Sequence, residues 1–221
     1  MIEIKNLTKN YSIDGQIFKA VDNVSLSVKK GEMLSIIGHS GSGKTTLLSL
    51  IGGLTRPDAG QILIDDYDIW SMNDSALSLF RNKKISFIYQ FASLIPTLTA
   101  IENIMLPTAF GEQTGDVRGY AEELIDLVGL KEKSGAYPSH LSGGQQRRVA
   151  IARAFINLPD IVLADEPTGD LDEETEGDIL SLFQDMNRKK KITFLIVTHN
   201  KDIAEHTGRQ LSMSNGLLTE K

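Results

Sequence analysis

The stretch that decides the fold runs from residue 33 to residue 52. It consists of Met33-Leu34-Ser35-Ile36-Ile37-Gly38-His39-Ser40-Gly41-Ser42-Gly43-Lys44-Thr45-Thr46, followed by Leu47-Leu48-Ser49-Leu50-Ile51-Gly52. The short apolar run at its start, bounded by glycine, predicts a buried strand. A segment rich in Gly and Ser follows, and Lys44 then opens an apolar helix pattern. This order of strand, loop and helix is the context that the phosphate-loop pattern G-x-x-x-x-G-K-[ST] requires.

We interpret this loop as a binding site for a nucleoside triphosphate. Its glycines let consecutive backbone N–H groups point at an anion, and the following helix adds the positive end of its dipole. Lys44 would neutralise the β- and γ-phosphates, and the Thr45 hydroxyl would bind Mg²⁺. An ordinary Gly-rich turn is disfavoured because the whole pattern matches in its required context. The residues expected to contact the nucleotide here are Gly38, His39, Ser40, Gly41, Ser42, Gly43, Lys44, Thr45 and Thr46.

The composition of the chain favours a single mixed α/β domain. Its 221 residues are 41% hydrophobic and 24% charged, as expected for a globular protein with a sizeable core. The net charge of −6 argues against a nucleic-acid partner, because proteins that bind a phosphate backbone are more often basic. Cysteine is absent, which excludes disulfides and thiol chemistry.

The sequence predicts neither a targeting segment nor a membrane span. Residues 1–7 alternate apolar and polar side chains like a strand and contain no signal-peptide run. No apolar stretch approaches the roughly 18 residues that a transmembrane helix needs. We therefore expect a cytosolic location.

Two more apolar runs end in residues suited to phosphate chemistry. Residues 161–166 end in Asp165 and Glu166, and residues 191–199 end in His199. Asp165 suits a metal site, directly or through water, because Mg²⁺ needs a carboxylate at the carboxyl end of a neighbouring strand. Glu166 suits the polarisation of an attacking water. His199 is either a hydrogen-bonded structural residue or a contact of the γ-phosphate, and the pattern leaves both open.

The segment Leu141-Ser142-Gly143-Gly144-Gln145 predicts the beginning of a helix. Ser142 is a favoured N-cap residue, and Gln145 stands three positions later, which is a capping-box pattern. Two glycines at a helix start offer bare N–H groups to an anion. From local physics alone, this tip is either a phosphate-binding helix end or an ordinary cap.

The order of the predicted elements indicates an α/β fold. Residues 2–29 alternate in pieces around Asp14-Gly15 and predict hairpin-like antiparallel strands. Elsewhere, strands alternate with helices, which favours a mainly parallel sheet with helices on both faces. The long gap between Lys44 and Asp165 leaves room for an inserted helical lobe. The other predicted elements are strands at 61–65 and 85–90 and helices at 74–82, 116–130 and 173–187.

Two parts of the sequence, Tyr11 and residues 91–108, each have two possible roles. By its position alone, Tyr11 is better explained as a strand residue on a half-buried face than as a stacking partner for adenine. Residues 91–108 are very apolar but contain loop residues. They form either the core of a helical lobe, which we favour, or a partly exposed docking groove for another protein.

Taken together, these motifs resemble the ATP-binding cassette family, the nucleotide-binding subunits of ABC transporters. The likeness covers nearly the whole chain, and its most specific element is the signature at 141–145, between the phosphate loop and Asp165-Glu166. It implies a phosphate-loop NTPase core with a mainly parallel sheet, an N-terminal antiparallel β subdomain and an α-helical subdomain inserted at about residues 92–156. All of these would lie in one ATP-binding domain at residues 1–221.

The resemblance also implies roles by motif position. Tyr11 would stack on adenine, which reverses the preference based on its position. Gln90 would link the core to the helical lobe and sense Mg²⁺ and the γ-phosphate. Asp172 would belong to a loop that communicates across a dimer, and His199 would be the switch histidine. The expected catalytic residues are Lys44, Gln90, Glu166 and His199, and the expected metal ligands are Thr45, Gln90 and Asp165.

In this family two copies pack head to tail, so each ATP is expected to lie between two subunits. Lys44 of one copy would hold it from one side. From the other side it would meet Ser142, Gly143, Gly144 and Gln145 of the second copy. Asp170 would add a negative charge at this dimer seam. The resemblance thus implies ATP and Mg²⁺ as cofactors, with a second copy as one partner.

A membrane permease is the other expected partner, docking near residues 90–108, while nucleic acid is not expected. The chain would be held at the inner face of the cell membrane through this permease. Within the family, the sequence resembles the branch that serves macrolide export, lipoprotein release and antimicrobial-peptide resistance. The leading hypothesis is an ATPase subunit that powers a separate permease.

Three alternatives belong to other functional classes. An ATP-gated regulatory module, as in the cell-division relatives, would relay a conformational signal through a membrane partner without moving a solute. A cassette ATPase of DNA repair or translation usually carries two cassettes or a long coiled-coil insertion, which this chain lacks. A small-molecule kinase shares the phosphate loop but does not need the signature at 141–145.

Overall fold

The computed structural model describes residues 1–111, 115–169 and 171–220, and within these ranges the chain forms ten strands and seven α-helices. The strands are β1 (Ile2–Ile13), β2 (Gln16–Val28), β3 (Met33–Ile37), β4 (Ala59–Ile64), β5 (Tyr67–Asp68), β6 (Ile85–Ile88), β7 (Ile161–Asp165), β8 (Thr193–Thr198), β9 (Arg209–Ser214) and β10 (Leu217–Glu220). The α-helices are α1 (Lys44–Ile51), α2 (Asp74–Lys84), α3 (Ala100–Met105), α4 (Val117–Leu127), α5 (Gly143–Phe155), α6 (Glu173–Lys190) and α7 (Lys201–Glu205). Short 3₁₀ turns lie at Ile69–Ser71, Leu106–Phe110, Lys131–Lys133 and Pro138–His140.

The strands form two sheets. The larger has six strands in the order β10-β9-β3-β8-β7-β6, and the smaller has four in the order β2-β1-β4-β5. In the larger sheet, β3 pairs in parallel with β8 and β9, and β7 pairs in parallel with β8 and β6. The pairings in the smaller sheet are antiparallel. The predicted α/β fold, with a mainly parallel sheet and an N-terminal antiparallel sheet, is confirmed.

The hairpin between β1 and β2 turns at the residues that the sequence indicated. Asp14 and Gly15 have φ values of +51° and +79°, and Ile13 pairs with Gln16 across the turn. Two successive left-handed residues match the right-handed twist of the flanking strands, which explains why Asp-Gly is favoured here.

Each side of the larger sheet packs against a different layer. In β7, Ile161 and Leu163 face a core shared with α1 and the smaller sheet, whereas Val162 and Ala164 face a core shared with α5 and α6. Successive strand residues point to opposite faces, so a continuous apolar strand fills both cores. This burial on both sides fixes the carboxyl ends of the parallel strands at one edge of the sheet.

Helices α3, α4 and α5 lie between β6 and β7 in sequence and pack on one another. Ile101 and Ile104 of α3 are buried in their shared core, while Phe91 and Ile95 are exposed. The apolar stretch 91–108 therefore serves both as core and as surface. A capping box formed by Thr99 and Glu102 starts α3.

Some element ends differ from the sequence-based prediction. Strand β6 ends at Ile88, two residues before the predicted end, and α6 continues to Lys190 before Lys191 ends it in a left-handed conformation. These ends depend on pairing and packing partners that a local pattern does not contain.

No helix in the described part of the chain combines the length and the apolar character needed to cross a bilayer. The longest, α6, is rich in charged residues.

Phe155 of α5, Phe183 of α6 and Phe194 of β8 form an aromatic cluster in the core. Phe155 is fully buried, and its ring lies 6.2 Å from that of Phe183 and 6.3 Å from that of Phe194. We expect Phe155→Ala to lower the free energy of unfolding by about 3–5 kcal/mol, because it removes apolar burial and leaves a cavity. Urea unfolding, monitored by circular dichroism, measures this free energy of unfolding. Leu127→Ala, at a half-exposed site, should change stability by less than about 0.5 kcal/mol; equal effects would contradict the placement of Phe155.

Candidate functional site

The candidate site lies where the parallel strands end. β3, β7 and β8 are neighbours, and their carboxyl ends lead into the phosphate loop, Glu166 and His199. A cavity of about 720 Å³ opens at this edge, which is the usual place for a ligand in a parallel α/β sheet. The predicted residues that line it are Tyr11, His39, Ser40, Gly41, Ser42, Gly43, Lys44, Thr45, Thr46, Gln90, Asp165, Glu166 and His199.

Two glycines of the phosphate loop are required by the chain's own packing. A Cβ atom on Gly43, which has a φ of +105°, would lie 2.0 Å from the carbonyl oxygen of Ala20. A Cβ atom on Gly38 would lie 2.3 Å from the carbonyl oxygen of Met213. Gly38 is not part of the cavity wall, but it lets the loop pass close to β9, as Gly43 lets it pass close to β2. Only glycine allows this loop shape.

The loop presents donors to an anion. The backbone N–H groups of Gly41, Gly43 and Lys44 have no acceptor within the described residues. The buried Ser42 hydroxyl likewise has no partner there. The Lys44 ammonium donates to the carbonyl oxygens of Gly38 and His39, at 2.7 and 3.0 Å. Open donors around a buried cation suit the phosphates of a nucleotide.

Thr45 and Asp165 form the pair expected at a magnesium site. The Thr45 hydroxyl donates to the Asp165 carboxylate at 2.8 Å, and both residues line the cavity. Burial raises the pKa of the Asp165 carboxyl above its ordinary value, and the hydrogen bond from Thr45 opposes this shift. No cluster of three or more His, Cys, Asp or Glu side chains suited to a metal occurs in residues 1–111, 115–169 and 171–220. These residues fit Mg²⁺, which is usually held by few protein groups together with substrate phosphates and water.

Glu166 sits beside this pair with its carboxylate held from two directions. One oxygen accepts the His199 backbone N–H and lies 2.9 Å from His199 Nδ1, and the other accepts the Thr198 hydroxyl at 2.8 Å. The φ of Glu166 is +46°, a value uncommon outside glycine. This turn after β7 aims Asp165 and Glu166 into the same cavity. The structure thus brings His199 together with Glu166, while most of the His199 side chain stays exposed.

An aromatic pair forms the far wall of the cavity. Tyr11 and Phe18 are register partners across β1 and β2, and both line the cavity. The Lys9 ammonium lies 5.7 Å from the centre of the Tyr11 ring and donates to Asp58 at 2.9 Å. Hydrogen bonds from Asn10 and Lys9 hold the pKa of Asp58 below its usual range. This wall offers an aromatic surface to a flat ring.

The signature residues lie outside the cavity of their own chain. Ser142 and Gln145 form the predicted capping box, in which each side chain satisfies the other's backbone N–H. The N–H groups of Gly143 and Gly144 have no acceptor within the described residues. A Cβ on Gly143 would meet no atom within 4 Å. The capping box is confirmed, and the tip leaves two backbone N–H donors open.

Sequence reasoning missed four residues of the cavity wall: Phe18, Ala20, Arg147 and Gly169. Phe18 carried a usable signal, since the Asp14-Gly15 turn fixes the register that places it opposite Tyr11. Arg147 lies distant in sequence from the phosphate loop, and no local pattern indicates where its side chain goes. Asp172 caps α6 through the Thr175 backbone N–H at 3.0 Å. Asp170, expected at the dimer seam, lies outside the described residues.

Comparisons with known sequences agree on one family. Residues 21–169 match the family model described as ABC transporter. Two relatives are named "Lipoprotein-releasing system ATP-binding protein LolD". The protein from Cytophaga hutchinsonii is 44% identical over 92% of this chain and 96% of its own length. The protein from Bacteroides fragilis is 43% identical over 98% of this chain and 99% of its own length.

Solved structures give the same result. The ATP-binding cassette MJ0796, in a dimeric post-hydrolysis state bound to ADP and Pi, matches with a TM-score of 0.93 and 39% identity over all of this chain and 98% of that one. A second dimeric structure of MJ0796, described as a bacterial ABC transporter cassette, matches with a TM-score of 0.93, 40% identity and the same coverage. The chain therefore belongs to the ABC transporter family, as an ATP-binding and ATP-hydrolysing subunit that drives a separate membrane permease.

Proposed function

We propose that the cavity at the strand ends is the ATP site and that Glu166 is its general base. The observation that carries this proposal is the position of the Glu166 carboxylate, which shares one cavity with Lys44 and with the Thr45–Asp165 pair. Tyr11 stacks on the adenine ring, and the loop from Gly38 to Thr46 binds the phosphates through its N–H groups and Lys44.

Each polar residue around the γ-phosphate has a role that follows from its contacts. Thr45 and Asp165, with Gln90, would hold Mg²⁺, which would offset the charge that develops on the phosphate oxygens. Glu166 takes a proton from the attacking water. His199, already tied to Glu166, orients that carboxylate and contacts the γ-phosphate. The water oxygen forms a bond to the γ-phosphorus while the bond from this phosphorus to the oxygen that bridges the β- and γ-phosphates breaks, which releases ADP and phosphate. Glu166 then gives its proton to the solvent.

The other half of each site comes from a second copy of the chain. Ser142, Gly143, Gly144 and Gln145 do not line their own chain's cavity, and the N–H groups of Gly143 and Gly144 point to no acceptor within the described residues. We infer that this tip binds the γ-phosphate held by the partner's Lys44, which requires a head-to-tail dimer. ATP then acts as the bridge that closes the dimer.

The permease docks near residues 90–108. Phe91, Ile95 and the neighbouring Phe110 are exposed, and a small cavity of about 300 Å³ lies between the end of β6 and the turn Leu106–Phe110. The buried Asn103 amide holds the shape of this segment by accepting from the Ile95 N–H and donating to the Leu98 carbonyl. Exposed apolar groups on an ordered frame suit a protein partner.

We further propose that this permease releases lipoproteins from a membrane. The support is the 43–44% identity to two lipoprotein-releasing ATP-binding proteins, which covers almost the full length of this chain and of each relative. The chain would then lie at the inner face of the cell membrane, held there by its permease. We also propose that residues 1–221 form one ATP-binding domain, with a helical subdomain inserted at about residues 92–156.

Glu166→Gln tests the assignment of the general base. The variant should still bind ATP, lose about 10²–10⁴-fold in turnover because it cannot take up the proton, and accumulate as an ATP-bound dimer. Phosphate release and size-exclusion chromatography with ATP measure these effects. Glu205→Gln, which changes an exposed carboxylate on α7, is the matched control. Turnover of Glu166→Gln at the wild-type rate would rule out this role.

Gly143→Asp tests the role of the signature tip. The side chain has open space in the chain's own fold, so stability should be preserved. Its negative charge should repel the phosphate held by the partner, so we expect loss of the dimer and of turnover, while single subunits still bind a fluorescent ATP analogue. Gly135→Asp, at another glycine with open space, is the control. Undiminished turnover by Gly143→Asp would contradict the two-subunit site.

Reconstitution tests the proposed substrate. The full chain should co-purify with a permease from native membranes, and mass spectrometry identifies that permease. In proteoliposomes the complex should transfer a lipid-anchored lipoprotein to a soluble acceptor only with ATP. The same complex carrying Glu166→Gln should transfer none. Stimulation of ATP turnover by a macrolide or a peptide, with no effect of lipoprotein, would contradict the proposal.

A further inference from the structure

Arg147 is the largest side chain that is fully buried in the described part of the chain, with 2% of its surface exposed. It lies in α5, five residues after Ser142, the N-cap residue of that helix. Burying a guanidinium group is costly unless hydrogen-bond acceptors hold it in place. A buried arginine at this position therefore needs a structural reason.

The contacts of Arg147 place it at the edge of the nucleotide cavity. Its guanidinium donates a hydrogen bond to the backbone carbonyl of Tyr89, the residue immediately before Gln90. It also lines the cavity that holds Lys44 and Asp165. Arg147 thus joins the helix that starts at the signature tip to the backbone that carries Gln90.

A second arginine of α5 holds the other side of the same loop. Arg153 donates to the carbonyl of Ala92 at 2.9 Å and to the carbonyl of Ser93 at 3.0 Å. The Gln90 side chain is exposed and makes no hydrogen bond with any residue that the structure describes. Its position therefore depends on the backbone on either side of it, and that backbone is fastened to α5.

We propose that Arg147 is a positioning residue of the ATPase: from α5, it fixes the backbone before Gln90 so that the Gln90 side chain faces the phosphate cavity. This inference rests on the proposed function, because it assumes that Gln90 acts on the γ-phosphate and its metal ion. Hydrogen bonds from a charged donor are stronger than those between neutral groups, so the buried guanidinium is a firm anchor for the Tyr89 carbonyl.

Helix α5 links the signature tip to the loop that carries Gln90. The helix begins at the tip that meets the partner's nucleotide, and its next two turns hold the loop at 89–93 through Arg147 and Arg153. Because a short helix moves as a rigid unit, a displacement of the tip moves the Gln90 backbone with it.

The experiment compares Arg147→Met, Arg147→Lys and Arg148→Met in the full chain. Methionine keeps much of the buried volume without a charge or a donor, and lysine keeps the charge and one donor direction. Arg148 is the matched control, because it neighbours Arg147 on α5 but donates to the Val128 carbonyl at 3.1 Å. The measurements are amide hydrogen exchange at residues 89–93, thermal unfolding, and kcat and KM for ATP.

We expect Arg147→Met to raise exchange at residues 89–93 by about 10-fold, as loss of a charge-assisted hydrogen bond implies. Its kcat should fall by about 10- to 100-fold through misplacement of Gln90, with KM for ATP changed by less than about 3-fold. Arg147→Lys should recover most of both effects. Arg148→Met should leave exchange at residues 89–93 unchanged.

Two results would overturn the inference. One is a folded Arg147→Met protein with wild-type exchange at 89–93 and wild-type kcat. The other is a uniform loss of stability and of ATP binding that Arg147→Lys does not repair, which would make Arg147 a core residue only. If Arg147→Met does not fold, Arg147→Gln replaces it, and failure of both to fold counts as the second result. Glu166→Gln serves as the reference: if it retains wild-type turnover the proposed function fails, whereas an inactive Glu166→Gln with a normal Arg147→Met defeats only this inference.

Discussion

The site depends on the parallel pairing of β3, β8 and β7. Because these strands run in the same direction and are buried on both faces, their carboxyl ends are held at one edge with little freedom to shift. The loop after β3 supplies Lys44, the end of β7 supplies Asp165, and the residue after β8 is His199. If one strand shifted by one residue along its neighbour, its side chains would turn to the opposite face of the sheet. The register that fills the core therefore also positions the site residues.

The glycines of the two motifs are required for different reasons. Gly38 and Gly43 are demanded by the chain itself, since a Cβ atom there would collide with backbone carbonyls. Gly143 meets no such obstacle, and its N–H group is left without an acceptor in the described residues. A glycine that its own fold does not need, at a helix tip with open donors, is best explained by the close approach of a ligand from outside. This feature supports the proposal that each ATP site is completed by a second copy of the chain.

Helix α5 connects elements that are far apart in the sequence. Its N-terminus is the signature tip, its buried face packs against the sheet, and its arginines hold the loop after β6. The exposed apolar residues near that loop belong to the surface proposed for the permease. The nucleotide cavity, the proposed subunit contact and the proposed permease contact therefore meet around one helix, which would give a physical route between ATP and the membrane partner.

The sequence by itself determined the Asp14-Gly15 hairpin, the phosphate loop and the capping box at Ser142, because each follows from spacing within a few residues or one turn. It also determined the α/β class, because strands and helices alternate along the chain. It also supplied Asp165 and Glu166 as acids that end a buried strand. Tertiary structure alone decided that His199 holds the Glu166 carboxylate and that Arg147 reaches the Tyr89 carbonyl. These contacts join residues that are 33 and 58 positions apart. Such contacts are set by how sheets and helices pack, and local side-chain patterns carry no information about which distant groups will meet.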